Sequence, residues 1–215
     1  GGVPHRIVSM GRASIPPRRP GSIGQVPVAS TPLVGRGSEV SELAELLTRE
    51  RLLTIVGVGG CGKTRLAQEV ARRVEVAFPG GAHWVELAPR YDQAGVIGAV
   101  AQALGVAVLD DSPVAEQIVM AMADRPATLL VLDNAEHVLS PTATLVKQLL
   151  DALPQLRVLC TSREPLSGPG EVVWRLQPLA VPEFARGHEL SAAEVERFDS
   201  VQLFIDRATR VRRTF

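Results

Sequence analysis

Apolar residues along the chain follow two alternating rhythms. Short, nearly unbroken apolar runs occur at 51–56 (RLLTIV), 83–87 (HWVEL), 129–133 (LLVLD), 156–161 (LRVLCT) and 171–176 (EVVWRL). Runs of that length and continuity predict strands covered on both faces. Between them apolar residues recur at three- and four-residue steps, as helices require: Val40, Leu43, Leu46 and Leu47; Leu66, Val70 and Val74; Val96, Ile97, Val100 and Leu104; Val114, Ile118 and Met122; Leu145, Leu149 and Leu153. Ser38 is the expected N-cap of the first helix, and Pro79-Gly80-Gly81 stops the second. Strands alternating with helices predict an α/β three-layer sandwich around a mainly parallel five-stranded sheet.

The ends of the chain lack this alternation. Residues 1–31 carry scattered Pro, Gly, Ser and Arg (PPRRPG at 16–21) with no period, and read as a linker or disordered arm. The Arg18-Arg19 pair fits a solvated tail or a nucleic-acid contact. Residues 32–182 hold the alternating pattern. After Pro182 the composition turns charged, and Val201, Phe204, Ile205 and Ala208 predict one last amphipathic helix, so 183–215 reads as the start of a truncated helical domain.

Composition narrows the function classes. Hydrophobic residues make up 46% of the 215, enough for a packed core, and 23 acidic residues balance 23 basic ones. That balance excludes a domain-wide cationic footprint for nucleic acid. Two cysteines, Cys61 and Cys160, are too few for a disulfide framework or a zinc site. No apolar run reaches the roughly 18 residues of a membrane span, and the N-terminus lacks the basic-then-apolar order of a signal peptide. A cytoplasmic protein with no membrane partner is expected. The absence of Met at position 1 suggests a fragment of a longer protein.

The chemistry is concentrated at Gly57-Val58-Gly59-Gly60-Cys61-Gly62-Lys63-Thr64, which has the phosphate-loop pattern G-x-x-x-x-G-K-[ST]. Glycines let backbone N–H groups turn inward around phosphates, the lysine brings a charge to the β- and γ-phosphates, and the threonine hydroxyl serves Mg²⁺. Arg65, next in the motif, is counted with the binding residues. The chain has only two lysines, Lys63 and Lys147, and one stands at the single position the loop needs. The flanking strand and helix supply the expected context, with the helix N-terminus aimed at the anion. Cys61 within the loop reads as a small filler.

Asp133, at the carboxyl end of an apolar strand, is the candidate second Mg²⁺ ligand. Many ATPases place Glu directly after this Asp; here Asn134 stands there, and Glu136 is either the group that orients water or a solvated carboxylate. Arg163, closing the fourth strand after Thr161-Ser162, is either a γ-phosphate sensor or a surface arginine. His83, Trp84 and Trp174 read as packing residues. No N-K-x-D guanine motif follows the loop, which disfavours a GTPase.

Five segments stand in an order that resembles the NB-ARC-like STAND ATPases (signal-transduction ATPases with numerous domains): TPLVGR (31–36), GVGGCGKTRLA (57–67), LLVLDNAEHVL (129–139), LRVLCTSREPL (156–166) and EVVWRLQPLA (171–180). The chain is most similar to the core of bacterial LuxR/AfsR-type transcriptional regulators. The resemblance implies an ASCE-type sheet with the Thr161 strand between the phosphate-loop strand and the Asp133 strand. It implies an adenine contact from Val34, Gly35 and Arg36, and γ-phosphate sensing by Arg163. It further implies a slow ATP/ADP switch with Mg²⁺, self-association or regulatory protein partners, and DNA contact only through domains outside this chain. A conventional ATP-hydrolysing or phosphoryl-transfer enzyme and an inactive truncated fragment are the competing readings.

Overall fold

The computed structural model describes residues 25–109, 112–182 and 191–211. Most of the expected N-terminal arm, with Arg18 and Arg19, lies outside the described residues. Five strands form one sheet: β1 (Leu52–Val56), β2 (Ala82–Glu86), β3 (Thr128–Asp133), β4 (Leu156–Ser162) and β5 (Glu171–Arg175). Their order is β2-β3-β4-β1-β5, and all four pairings are parallel. The Thr161 strand therefore lies between the phosphate-loop strand and the Asp133 strand, as the resemblance implied.

Parallel neighbours need crossover connections, and the helices provide them. Helices α1 (Gly37–Arg49) and α2 (Lys63–Val74) cover one face, and α3 (Gln93–Leu104), α4 (Val114–Met122) and α5 (Leu139–Ala152) cover the other. The three central strands are buried along almost their whole length, hence their apolar runs. Edge strand β5 is only partly covered, and its sequence mixes Glu and Arg with apolar residues.

Local signals set the helix ends. Asp92 caps α3 by accepting from Gly95 N at 2.8 Å, and Gly105 closes it in the left-handed conformation. The start of α1 differs from expectation. Arg36 occupies the N-cap position, and the Ser38 hydroxyl donates to Glu39 Oε2 at 2.8 Å instead of accepting from the backbone. The helix begins before Ser38, which moves that side chain into the first turn, where it has no cap to make.

Beyond β5 a short helix α6 (Ala192–Val195), opened by a Ser191–Glu194 capping box, precedes α7 (Asp199–Val211). Helix α7 matches the predicted amphipathic helix, but none of its residues is buried. It touches the rest of the protein near its start, where the Ser200 hydroxyl donates to Ala180 O at 2.6 Å.

Candidate functional site

The site forms where β1 leaves the sheet. Gly60 and Gly62 both take positive φ, 79° and 99°, turning the loop so that α2 starts immediately at Lys63. Among the described residues, no backbone carbonyl accepts from the N–H groups of Gly62, Lys63 and Thr64. A cluster of unused donors at a helix N-terminus suits a polyanion. Lys63 is 9% exposed, and its Nζ donates to Gly57 O at 2.9 Å and Val58 O at 3.1 Å, spanning the loop it belongs to. The Cys61 thiol is half-buried and packs toward Gly57, consistent with a filler.

Asp133 joins this loop to the sheet. Its Oδ1 accepts from the Thr64 hydroxyl at 2.8 Å and from the Thr161 hydroxyl at 2.6 Å. The Thr161 oxygen in turn accepts from Asn134 N at 2.9 Å, holding Asn134 at φ 65°, a left-handed conformation that asparagine tolerates. Burial pushes the Asp133 carboxyl above its ordinary range, opposed by the Thr161 and Thr64 hydrogen bonds, while the nearby Glu86 and Glu136 charges push it further up. A hydroxyl and a carboxylate beside a phosphate cradle form the kind of partial oxygen set that suits Mg²⁺, which completes its shell with phosphate oxygens and water. The donors present therefore fit a Mg²⁺-bound triphosphate.

Glu136 and Arg163 meet each other. Arg163 Nε lies 3.2 Å from Glu136 Oε1, with the arginine side chain 64% exposed and the glutamate 19%. The Asn134 amide, turned with its nitrogen toward Glu136, donates to both carboxylate oxygens at 2.9 and 2.8 Å. The Arg163 guanidinium also borders the phosphate loop: a Cβ on Gly59 would stand 3.4 Å from its Nη2. Gly57, Gly59, Arg163, Arg175 and Gln177 line an open cleft of about 470 Å³ between the loop and the end of β5.

The Val34–Gly35–Arg36 segment reaches the same edge. Arg36 Nη2 donates to Gln177 O at 2.6 Å, and its Nη1 donates to Glu39 Oε1 at 2.8 Å. Gly35 has φ 55° and faces the Asp199 side chain so closely that a Cβ there would overlap it. The Arg65 side chain turns away from the loop; its Nη2 donates to Thr31 O at 2.7 Å and its Nη1 to Gln68 Oε1 at 3.0 Å. It thus ties residue 31 to α2. His137 Nε2 pairs with Leu87 O at 3.0 Å and so braces the end of β2. Trp84 is buried in the core and Trp174 Nε1 donates to Glu42 Oε1 at 3.1 Å.

Sequence reasoning grouped Thr161 with its neighbours but gave it no task. In the structure its hydroxyl links the Asp133 carboxylate to the Asn134 backbone. The available signal was a hydroxyl residue at the end of a strand flanked on both sides by site strands.

The family model described as "NB-ARC domain" matches residues 37–166. A Mycobacterium tuberculosis protein described as an HTH-type transcriptional regulator is 36% identical over 170 residues, covering 79% of this chain and 17% of its own length. Regulatory protein AfsR of Streptomyces coelicolor is 30% identical over 156 residues, covering 65% of this chain and 15% of its own. The chain spans less than half the length of the curated relatives it matches. Among solved structures, the Aeropyrum pernix ORC2 protein in ADPNP and ADP complexes has a TM-score of 0.54 at 14% identity, over 76% of this chain and 51% of that one. That likeness concerns the fold.

Proposed function

This chain belongs to the NB-ARC domain family, a P-loop ATPase module of regulator-like proteins, and on that premise we propose that it is the ATP/ADP-holding core of a regulatory switch. The observation that carries this reading is the Thr64–Asp133 hydrogen bond at 2.8 Å, which joins the phosphate loop to a strand-end carboxylate 69 residues away. Lys63 and the free N–H groups of the loop bind the phosphates. Thr64 and Asp133 hold Mg²⁺, which when bound neutralises charge on the phosphate oxygens. Val34, Gly35 and Arg36 contact the adenine from the edge that Arg36 shares with Gln177.

Arg163 is the γ-phosphate sensor in this reading. Its guanidinium already borders Gly59, and its partner Glu136 is a half-exposed ion pair that a stronger anion can replace. The engagement of Glu136 and the Asn at 134 support slow turnover, hence a switch in preference to a metabolic enzyme. The parent protein is a LuxR/AfsR-type transcriptional regulator acting in the cytoplasm, with self-association or protein partners as its output and DNA contact made by other domains. No helix among the described residues is long and apolar enough to cross a membrane.

The test is to denature the purified chain and identify the released nucleotide by chromatography, then titrate ATP and ADP with and without Mg²⁺. Near-stoichiometric ADP, with ATP affinity that depends on Mg²⁺, is the expected result. A chain that carries no nucleotide and binds none would overturn the reading.

A further inference from the structure

The carboxyl ends of the strands carry one more acidic side chain, Glu86, at the end of β2. Strand β2 pairs with β3 so that Glu86 lies opposite Asp133. The β3–β4 register, Leu132 opposite Cys160, puts Thr161 next to Asp133, and Thr161 lies opposite Ile55 of β1. Residues opposite one another in a parallel sheet project to the same face, and successive residues alternate.

The buried members of each strand say which face this is. Trp84, Val131, Leu159 and Ile55 belong to the apolar cluster under α1 and α2, whereas Val85, Leu132 and Cys160 belong to the opposite cluster. Two residues beyond Trp84, Glu86 therefore projects to the α2 face, in the row that continues through Asp133 and Thr161. That is the face where Thr64 meets Asp133.

The two candidate carboxylates differ in what holds them. Glu136 is taken up by Arg163 and by the Asn134 amide. Glu86 is exposed and, among the described residues, makes no hydrogen bond or ion pair. The backbone beneath it is nevertheless fixed: Leu87 N donates to Asp133 O at 2.9 Å, extending the ladder past the strand, and His137 Nε2 pairs with Leu87 O at 3.0 Å. An unengaged carboxylate on a braced strand end, on the face where the phosphate loop meets Asp133, has the placement and the freedom to take up a proton that Glu136 lacks.

We propose that Glu86, not Glu136, orients and deprotonates the attacking water when this domain hydrolyses ATP. This inference rests on the reading of the P-loop as an ATP site. The water oxygen forms a bond to the γ-phosphorus as the bridging bond to the β-phosphate oxygen breaks, and that oxygen leaves with the electron pair on ADP. The water proton passes to the Glu86 carboxylate and then to solvent, so ATP and water give ADP and phosphate. The edge position of β2 leaves the base open to bulk water, which agrees with slow turnover.

Single-turnover hydrolysis of ATP by the 215-residue chain, measured beside the affinities for ATP and ADP, tests the assignment. Glu86→Gln is expected to lower the rate constant by about 100-fold or more, a typical general-base contribution, with both affinities within roughly threefold of wild type, well under one pKa-unit equivalent of binding energy. Glu86→Asp should fall between the two, and Glu136→Gln should lose less than Glu86→Gln. The purified Glu86→Gln chain should also release ATP on denaturation where the wild type releases ADP, a readout that needs no added nucleotide. Wild-type hydrolysis by Glu86→Gln overturns the proposal, as does a wild-type chain that binds ATP yet never cleaves it. A wild-type chain that binds no ATP instead overturns the P-loop reading, and the proposal goes with it.

Discussion

The two faces of the sheet are made by the same strands, one residue out of step, and they end differently. On the α3–α5 face Val85, Leu130, Leu132, Val158 and Cys160 are all buried among hydrophobic neighbours, and the polar strand residues there, Thr54, Thr128 and Ser162, are uncharged and fully buried. On the α1–α2 face the same strands run through Trp84, Val131 and Leu159 and then turn polar at Glu86, Asp133 and Thr161. The difference follows from what covers each end. Helix α2 begins at Lys63, level with the strand ends, so its face opens onto a cluster of N–H donors where the other face meets packed side chains. Burial treats ionisable groups on the two faces alike and pushes the Cys160 thiol far up and the Asp133 carboxyl up. One face uses burial to keep a thiol neutral and inert, while the other holds a carboxylate against its preference, at the position proposed to hold Mg²⁺.

The comparison is broken if substitutions on the two faces have interchangeable effects. Leu130→Ala empties a fully buried position on the packing face. It should cost about 2–5 kcal/mol in urea unfolding and leave the affinity of the remaining folded protein for ATP unchanged. Lys63→Ala, on the other face, should do the reverse. Its charge-assisted contacts to phosphate are worth about 1.5–3 kcal/mol, so triphosphate affinity should fall by roughly 10- to 100-fold with little change in the urea midpoint. Unchanged affinity would remove Lys63 from the phosphate site.

Asp133→Asn sharpens the contrast through pH. The folded chain holds the Asp133 proton more tightly than the unfolded chain does, because burial raises this carboxyl above its ordinary value of 3.8. Stability from this group is therefore full below that value and is lost as pH rises through the raised folded value, leaving a deficit at neutral pH. Asparagine keeps an acceptor for Thr64 and Thr161 and removes the charge. The nucleotide-free variant should melt higher at pH 7, with the gain vanishing below about pH 4. The Mg²⁺ dependence of ATP binding should disappear at the same time. A lower melting point at pH 7 would show that the two hydroxyl bonds outweigh burial.

Most of the sheet was legible because buried parallel strands must be apolar, and each run at 51–56, 83–87, 129–133, 156–161 and 171–176 became a strand to within a residue or so at its ends. The phosphate loop was legible because its spacing is a backbone requirement. The failures are of two kinds. At Ser38 a two-residue difference in the helix start erased the cap, since capping depends on φ and ψ at one position and not on composition. The S-A-A-E sequence at 191–194 carried a capping-box signal that periodicity alone passes over. Glu86 and the Glu136–Arg163 pair were invisible for another reason. Their neighbours belong to other strands, so only the register relates Glu86 to Asp133 and only the folded loops bring Arg163 to Glu136.

The smallest effect bears most directly on whether the polar face discriminates between nucleotides. Arg163 is mostly exposed, and its ion pair with Glu136 contributes little to stability. Arg163→Ala should therefore leave the unfolding free energy in urea within about 0.5 kcal/mol of wild type. What it removes is a donor fork at the rim of the loop beside Gly59, the group proposed to sense the γ-phosphate. The ratio of ATP to ADP affinity should fall by about threefold to tenfold, the equivalent of roughly 1 kcal/mol, with ADP affinity itself nearly constant. The double variant with Glu136→Gln should show no further loss of discrimination if Glu136 only parks the arginine. Equal discrimination in wild type and Arg163→Ala would return Arg163 to the surface, and the recognition of the third phosphate would then fall to Lys63 alone.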